Sequence, residues 1–392
     1  MKTRIFTRTV LVLSFVSLFA DVASEMLYPV MPIYLKSIGF SVVLIGILEG
    51  IAEATAGLSK GYFGKLSDRK GIRLPFVRWG YFLAAISKPM IALWTAPGWI
   101  FGARTLDRFG KGLRTGARDA LLSDEATKET KGAIFGFHRG MDTLGAVIGP
   151  SFALLYLYYA PAQYKPLFYI AFVPGIVSVL LLFILKEKKA IAAKPKDKTS
   201  TYSLLSFFSY WKESNADYKK LVAGLMVFTL FNSSDYFLLL KMKDAGLSDT
   251  HVIGVYIFYN VFYALLSYPL GALGDKIGLK NVLFGGLLVF AIVYFGMGFN
   301  HSLIIFFVLF LLYGVYAAAT DGVSTAWISN IADKSDTATG IGTFKGFQSI
   351  CTMGASILAG IIWSAYGAAP VFIISSIMTT IVVAYLGVVF RK

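Results

Sequence analysis

Long apolar runs repeat along the chain, and short polar loops separate them. Each run is about 20 residues long, which is the length that lets a helix cross the hydrocarbon core of a bilayer. We interpret the runs as helices because a segment in lipid must satisfy its own backbone hydrogen bonds. The pattern predicts twelve spans, at residues 9–35, 41–64, 74–95, 98–121, 132–159, 164–185, 219–241, 250–273, 278–300, 302–329, 338–364 and 366–390.

The composition also indicates a membrane protein. Of the 392 residues, 56% are hydrophobic and 15% are charged, whereas soluble domains average about 45–50% apolar and about 25% charged residues. The start of the chain, basic and then apolar, also fits a secretory signal peptide. Its apolar stretch continues to Leu35, which is too long for a signal peptide, so we expect it to form the first span.

The formal net charge is +15, and its distribution indicates a membrane topology rather than nucleic-acid binding. Basic residues concentrate in alternate loops, including a cluster from Lys186 to Lys198. An even number of spans places both termini on one side, and the positive-inside rule assigns that side to the cytoplasm. We therefore expect a multi-pass protein of the bacterial inner (plasma) membrane, with both termini cytoplasmic and no nucleic-acid partner.

The two halves of the chain share short sequence matches at a nearly constant spacing. The segment GKLSDRKGIR, which begins at Gly64, matches GALGDKIGLK, which begins at Gly271. Likewise, GFHRG at Gly136 matches GTFKG at Gly342. Such a repeat indicates a duplicated six-helix unit. The predicted domains are an N-terminal six-helix bundle at 1–185, a basic cytoplasmic linker at 186–218 and a C-terminal six-helix bundle at 219–392.

The loop between the second and third spans carries a motif of glycines and charges. It consists of Gly64, Asp68, Arg69, Gly71 and Arg73, and a degenerate second copy consists of Gly271, Asp275 and Lys280. The motif resembles the corresponding loop of major facilitator superfamily transporters, with Ile72 in place of one basic residue. The resemblance covers essentially the whole chain. It implies an all-α membrane fold of twelve helices in two pseudo-symmetric six-helix bundles with a central cavity, and a gating role for the motif.

Simple electrostatics suggests how the first copy of this motif works. Asp68 lies at a cytoplasmic helix end, where its carboxylate is expected to pair with a basic residue. The same carboxylate is expected to contact the positive N-terminus of a facing helix, such as the helix that begins near Thr339. Gly64 is expected to let two helices approach closely.

A glycine pattern in the fifth span resembles the helix motif of antiporters in this superfamily. Gly136, Gly145, Gly149 and Pro150 fit the pattern, whereas Ala153 and Leu154 replace its final glycine pair. The resemblance is to the twelve-helix drug/proton antiporter type, and it implies exchange of substrate for protons. Small residues at this spacing also serve ordinary close packing of helices, so the sequence leaves both explanations open.

Ionisable side chains lie deep in several predicted spans, where charge is costly and usually functional. We expect one group to line the central cavity and take part in proton coupling: Asp21, Glu25, Glu49, Glu53, Asp107, His138, Arg139 and Asp142. A basic group is expected to tune these charges or to bind an anionic part of the substrate: Lys88, Arg104, Arg108 and Lys111. The charges of the fourth span share one helix face, which favours a wet cavity or facing charges of opposite sign.

The same charges can instead form ion pairs that hold the first half together, as Arg139 and Asp142 would on one helix. Deep acids outnumber deep bases in this half, however. One or two carboxylates are therefore expected to lack a permanent partner. A buried carboxylate without a partner takes up a proton more readily than one in water.

These observations predict a secondary transporter that works by alternating access. We expect proton-coupled export of a small organic molecule by a monomer, with the substrate, protons and the lipid bilayer as its partners. The chain has no phosphate-binding loop and its histidines are far apart, so we expect no cofactor, no metal and no enzymatic activity. Two alternatives remain open: a proton-coupled importer of an anionic metabolite, which the basic fourth span suggests, and a membrane sensor that does not transport.

Overall fold

The computed structural model describes residues 5–40, 42–187, 208–233, 235–247 and 249–391, and all of the regular structure in these ranges is helical. Two short 3-10 segments follow α7 and precede α14, at Leu182–Ile184 and Lys334–Asp336. The helices are α1 (Arg8–Glu25), α2 (Met31–Ser37), α3 (Val42–Lys70), α4 (Leu74–Leu93), α5 (Pro97–Asp124), α6 (Lys131–Tyr159), α7 (Tyr164–Leu181), α8 (Phe208–Glu213), α9 (Ala216–Phe231), α10 (Asp235–Asp244), α11 (Asp249–Ile277), α12 (Leu279–Phe299), α13 (Leu303–Ile331), α14 (Thr337–Tyr366) and α15 (Ala368–Val389).

Each of the twelve predicted spans contains helix, so the all-α architecture is confirmed. Within the described ranges, seven helical segments are long and apolar enough to cross a membrane, judged by their length and composition alone. The first of these corresponds to α6 and the last to α15. Helices α3 and α5 are long enough, but they carry the many charged residues that the sequence places in the second and fourth spans.

The first and seventh spans are each broken into two helices, α1 with α2 and α9 with α10. In the first span Pro29 has no backbone N–H to donate, and its ring disfavours helical geometry at Tyr28. In the seventh span Asn232 adopts an extended conformation directly after α9. The two breaks occur at matching positions of the repeat, so the two halves share this interruption of a helix as well as the helices themselves. Discontinuous helices of this kind often border the binding sites of transporters.

Glycines in the left-handed region also follow the repeat. Gly71 has φ 62° after α3, and its counterpart Gly278 has φ 97° between α11 and α12. Gly39 and its counterpart Gly246 have φ 94° and 83°. Glycine adopts this conformation without the steric cost that a Cβ atom brings. Each of the two glycines in the first half therefore has a counterpart with the same backbone conformation in the second half.

The chain divides into two compact units of discontinuous sequence. Unit 1 comprises Met1–Thr127, Met141–Glu213 and Ala332–Gly346, and unit 2 comprises Lys128–Gly140, Ser214–Ile331 and Phe347–Lys392. The first part of α6 thus belongs to unit 2, and the first part of α14 belongs to unit 1. The predicted domain boundaries around 186–218 stay a prediction, because residues 188–207 of that linker lie outside the described part of the chain.

The core of unit 1 that positions the site is built from residues of the helices α1 to α7. Tyr34 and Phe168 are fully or almost fully buried there, and their rings lie 4.9 Å apart. The Tyr34 hydroxyl donates to the Ile91 carbonyl at 3.2 Å, which joins α2 to α4. The short helix after the break in the first span is therefore fixed against its neighbours.

Candidate functional site

A cavity within unit 1 collects charged side chains from three helices. It has about 40 Å³ of space for water-sized molecules, which is room for about three waters. Five basic and three acidic side chains line it: Asp21 and Glu25 from α1, Lys88 from α4, and Arg104, Asp107, Arg108, Lys111 and Arg114 from α5. The α5 residues recur every three or four positions, so they form one helix face, and this face borders the cavity.

One wall of the cavity is a connected set of ion pairs. Lys88 Nζ lies 3.2 Å from Asp107 Oδ1, and Arg104 Nη1 lies 3.4 Å from Asp107 Oδ2. Arg104 also binds Glu49 through two parallel hydrogen bonds of 2.8 and 2.9 Å. Such forked contacts are strong and directional. Asp107 and Glu49 therefore both have close cationic partners.

Arg108 continues this set toward the next turn of α3. Its Nη2 lies 3.9 Å from Glu49 Oε2 and its Nη1 lies 3.5 Å from Glu53 Oε1. Glu53 thus has a cationic partner, although its side chain is 48% exposed. These contacts agree with the ion-pair explanation for Glu49, Glu53 and Asp107.

Two acids at the cavity differ from this set. Within the residues the structure describes, Asp21 and Glu25 form no ion pair with any Lys, Arg or His within 4.0 Å, and both line the cavity. The Asp21 carboxyl lies within hydrogen-bonding reach of the Asp142 carboxyl on α6. Asp142 in turn accepts a hydrogen bond from Ser17, one turn before Asp21 on α1. The structure therefore brings together two carboxyls from the first and fifth predicted spans, between which three other spans lie in the sequence.

Close packing of α1 and α6 makes this approach possible. A Cβ atom on Gly145 would lie 2.7 Å from the Leu18 carbonyl oxygen and 2.8 Å from the Asp21 Cβ. A Cβ on Gly149 would lie 2.7 Å from both Met26 N and the Val22 carbonyl oxygen. The glycines at these positions have a packing role, whereas the antiporter interpretation of the motif stays a prediction.

The first part of α6, in unit 2, uses its glycines on a different neighbour. A Cβ on Gly136 would lie 2.3 Å from the Ser267 carbonyl oxygen of α11. Arg139, one turn further, pairs with Asp321 of α13 at 3.2 Å, and Asp321 also accepts a hydrogen bond from Tyr263. The sequence did not suggest Asp321 as a partner of Arg139. His138 is buried in the same segment.

The loop motif makes the contacts that the sequence predicts for Asp68. Its carboxylate lies 3.0 Å from Arg73 Nη1 and accepts two hydrogen bonds from Thr339, at 2.6 Å from the backbone N and 2.8 Å from Oγ1. A Cβ on Gly64 would lie 2.4 Å from the Ala338 carbonyl oxygen. Burial raises the pKa of the Asp68 carboxyl to about 6, although Arg73 and Thr339 favour its charged form. Arg69, in contrast, is exposed at the end of α3.

The second copy of the motif repeats this geometry within unit 2. Asp275 near the end of α11 accepts hydrogen bonds of 2.7 Å from the backbone N–H groups of Gly132 and Ala133, at the start of α6. A Cβ on Gly271 would lie 2.1 Å from the Gly132 carbonyl oxygen. Lys280 donates to the Phe390 carbonyl at 2.5 Å. Each copy thus uses an aspartate to cap a helix that comes from the other half of the sequence.

Two arrangements of side chains in the structure are not predicted by the sequence. Arg114 is 4% exposed, and its guanidinium lies 4.0 Å above the centre of the Tyr81 ring. In unit 2, Asp235 follows the helix break and accepts a hydrogen bond of 2.7 Å from Tyr313. The spacing of tyrosines on α11 and α13 was a signal for the second arrangement, but nothing in the sequence pairs Tyr81 with Arg114.

Comparisons with known proteins agree on one family. A family model described as Major Facilitator Superfamily matches residues 13–260 and 221–392. An uncharacterised MFS-type transporter of Methanocaldococcus jannaschii is 32% identical over 368 residues, which cover 92% of this chain and 89% of the relative. A homologue of a multidrug resistance efflux pump from Lactococcus lactis is 24% identical over 348 residues, covering 85% of this chain and 82% of the relative.

A solved structure shares the fold. The human organic anion transporter MFSD10 matches with a TM-score of 0.82 at 17% identity, and the match covers 97% of this chain and 99% of that one. Similarity at this level of identity concerns the arrangement of helices alone.

Proposed function

This chain belongs to the Major Facilitator Superfamily, and we propose that it exports a small organic molecule in exchange for protons by alternating access. The observation that carries proton coupling is the carboxyl pair of Asp21 and Asp142, together with the absence of an ion pair for Asp21 among the described residues. The proposal assigns protonation to these two residues and to Glu25, one turn beyond Asp21.

Two adjacent carboxyls favour uptake of one proton. When both are ionised they repel each other in a poorly solvated site, so the pair is most stable with a single shared proton. Ser17 donates to Asp142 and stabilises negative charge on that member. Protonation therefore changes the net charge beside the cavity by one unit, and this change can favour one conformation over another.

The aspartates of the two loop motifs are the proposed gate. Asp68 holds Thr339 at the start of α14, and Asp275 holds Gly132 and Ala133 at the start of α6. Both contacts join segments from different halves of the sequence, and alternating access requires such contacts to break and reform. Hydrogen bonds to a carboxylate suit this role because their net strength is only about 1.5–3 kcal/mol each.

Export is supported by the relative that is named as a multidrug efflux pump homologue and by the glycine pattern of α6. The rival function is proton-coupled import of an anionic metabolite. Its support is the excess of basic over acidic side chains at the cavity. The direction in which substrate moves under an inward proton gradient separates the two functions.

The test uses the full chain in proteoliposomes. The transported compound is first chosen as the one that most raises the melting temperature of the purified protein, among drugs, siderophores, sugars and organic acids. We expect its flux to require a proton gradient and to fall at least about tenfold in Asp21→Asn and in Asp142→Asn. Asp244→Asn, which removes an exposed acid from the end of α10, is the matched control and should keep wild-type flux.

Each part of the proposal has an outcome that contradicts it. Flux that persists after the gradient is collapsed, and that is unchanged in both aspartate variants, contradicts proton coupling. Uptake instead of export under an inward proton gradient supports the importer. Ligand binding without any flux supports a sensor that keeps the fold.

A further inference from the structure

Three buried arginine nitrogens at the cavity of unit 1 have no hydrogen-bond acceptor among the described residues. Nε and Nη1 of Arg114 and Nε of Arg108 are shielded from solvent, and none of them has a partner within the part of the chain that the structure describes. Both residues line the cavity. We propose that Arg114, Arg108 and Lys111 form a subsite for a carboxylate group of the substrate, and that the substrate is a small organic acid.

Acids of the protein leave part of this subsite open. Glu49 and Glu53 lie 3.9 and 3.5 Å from the two Nη atoms of Arg108, whereas its Nε has no acceptor among the described residues. Asp107 is held by Lys88 and Arg104, and Glu49 is held by the forked contact from Arg104. Lys111 lines the cavity, yet no Asp or Glu lies within 4.0 Å of its ammonium group in the described ranges. Three neighbouring cations thus keep unused donor capacity on one side of a small cavity. An anion that enters the cavity satisfies these donors and offsets their mutual repulsion.

Arg114 is held in a geometry suited to a carboxylate. Its guanidinium stacks on the Tyr81 ring at 4.0 Å, and Tyr81 is 1% exposed and therefore fixed. Stacking on an aromatic ring leaves the N–H edge of the guanidinium available, and this edge matches the two oxygens of a carboxylate. Gly80 and Gly110 allow α4 and α5 to approach closely beside this pair, because a Cβ on Gly110 would lie 2.6 Å from the Gly80 carbonyl oxygen.

The rest of the cavity limits the size and character of the ligand. Its volume of about 40 Å³ accommodates a carboxylate group and little more. Leu27, Met31 and Ile91 also line it and offer apolar contacts. These features favour a carboxylate attached to a short or flat hydrocarbon body. The subsite specifies the substrate class of the proposed transporter, so it rests on the proposed function as far as transport is concerned. Binding of a carboxylate to the subsite does not require a proton gradient.

The test measures equilibrium binding to the full chain, purified in detergent, by isothermal titration calorimetry. The probes are benzoate, succinate, inorganic phosphate and the cation tetraphenylphosphonium. We expect saturable binding of at least one carboxylate, weakened at least about tenfold in Arg114→Lys and in Lys111→Gln. Arg114→Lys keeps the charge but loses the planar pair of donors. Lys111 is exposed, so its substitution tests the subsite without disturbing the core.

Arg78→Gln is the matched control. Arg78 belongs to α4 of the same unit, donates to the Leu182 and Leu185 carbonyls and does not line the cavity. Its substitution should leave the dissociation constant of the carboxylate unchanged.

Two results of the titrations overturn the subsite. One is that phosphate or the cation binds but neither carboxylate does. The other is that a carboxylate binds with the same affinity to the wild type, to Arg114→Lys and to Lys111→Gln. Failure of the transport function is a separate result: a carboxylate that binds with the expected variant pattern but shows no gradient-dependent flux leaves the subsite intact. Conversely, gradient-driven flux of a cation without any carboxylate binding overturns the subsite alone.

Discussion

Individual buried charges in unit 1 differ in how they are stabilised. Lys88 and Asp107 have side chains that are only 5% and 11% exposed, and each is the nearest opposite charge of the other. Asp21 has a neighbouring carboxyl and, among the described residues, no cation within 4.0 Å. Pairing makes a buried charge tolerable, whereas a carboxyl without a cation is tolerable when it takes up a proton. The distinction separates residues that hold the structure from residues that can respond to protons.

Substitution of Asp107 tests the structural role. In Asp107→Leu, Lys88 keeps its charge in a buried site but loses its acid, so we expect a loss of stability of roughly 3–5 kcal/mol. The double variant Lys88→Met with Asp107→Leu removes both charges and should recover most of that loss. Chemical denaturation in detergent measures the stability of each variant. A double variant that is less stable than the single variant contradicts the structural pairing.

At the scale of elements, α6 shows how one helix serves two neighbours. Its first part packs closely on α11 through Gly136, and its later part packs on α1 through Gly145 and Gly149. Glycine lowers helix propensity by about 1 kcal/mol relative to alanine, so its presence at these contacts needs a packing reason. The close approach to α1 is also what places Asp142 beside Asp21.

Substitution of Gly145 tests this coupling between packing and chemistry. In Gly145→Ala the new Cβ meets the Leu18 carbonyl oxygen at 2.7 Å, so α1 and α6 must separate. We expect a lower melting temperature and a loss of proton-driven flux of at least about tenfold, because small misplacements of reacting groups have large effects. Gly102→Ala in α5 has no heavy atom within 4 Å of the new Cβ and should keep both properties. If Gly145→Ala and Gly102→Ala have the same melting temperature and the same flux, close packing of α1 and α6 is not required for transport.

At the scale of the whole molecule, the duplication governs the loops as well as the helices. Matching glycines with positive φ, matching helix breaks and matching capping aspartates recur in the two halves. The basic loops predict the orientation in the membrane: with an even number of predicted spans, we expect both termini on the side with the positive charges.

Cysteine labelling tests this orientation. In a Cys351→Ser background, which removes the one native cysteine, His301→Cys should react with a membrane-impermeant maleimide added to intact cells. Lys334→Cys should react only after the membrane is permeabilised, because the positive-inside rule places its loop in the cytoplasm. Both side chains are exposed in the structure, so access within the protein does not limit the reaction. The reverse labelling pattern contradicts a cytoplasmic location of the termini.

The sequence by itself determined the helical spans, the duplication and the partners of Asp68. The spans and the duplication follow from local information, because a bilayer requires apolar runs of about 20 residues and the repeat is visible in short segments. The contact of Asp68 with Thr339 joins distant segments, and its prediction rests on the resemblance of the loop motif to that of the family. The prediction that Asp68 meets both a basic residue and Thr339 is confirmed by the contacts of its carboxylate.

Only the tertiary structure decided how the deep charges are distributed among partners. Helical spacing puts several acids and bases on suitable faces, but it does not determine which faces meet. The structure pairs Asp107 with Lys88, gives Arg139 the distant partner Asp321, brings Asp142 to Asp21 and stacks Arg114 on Tyr81. The physical reason is that hydrophobic periodicity is a property of one segment, whereas an ion pair depends on the packing of two.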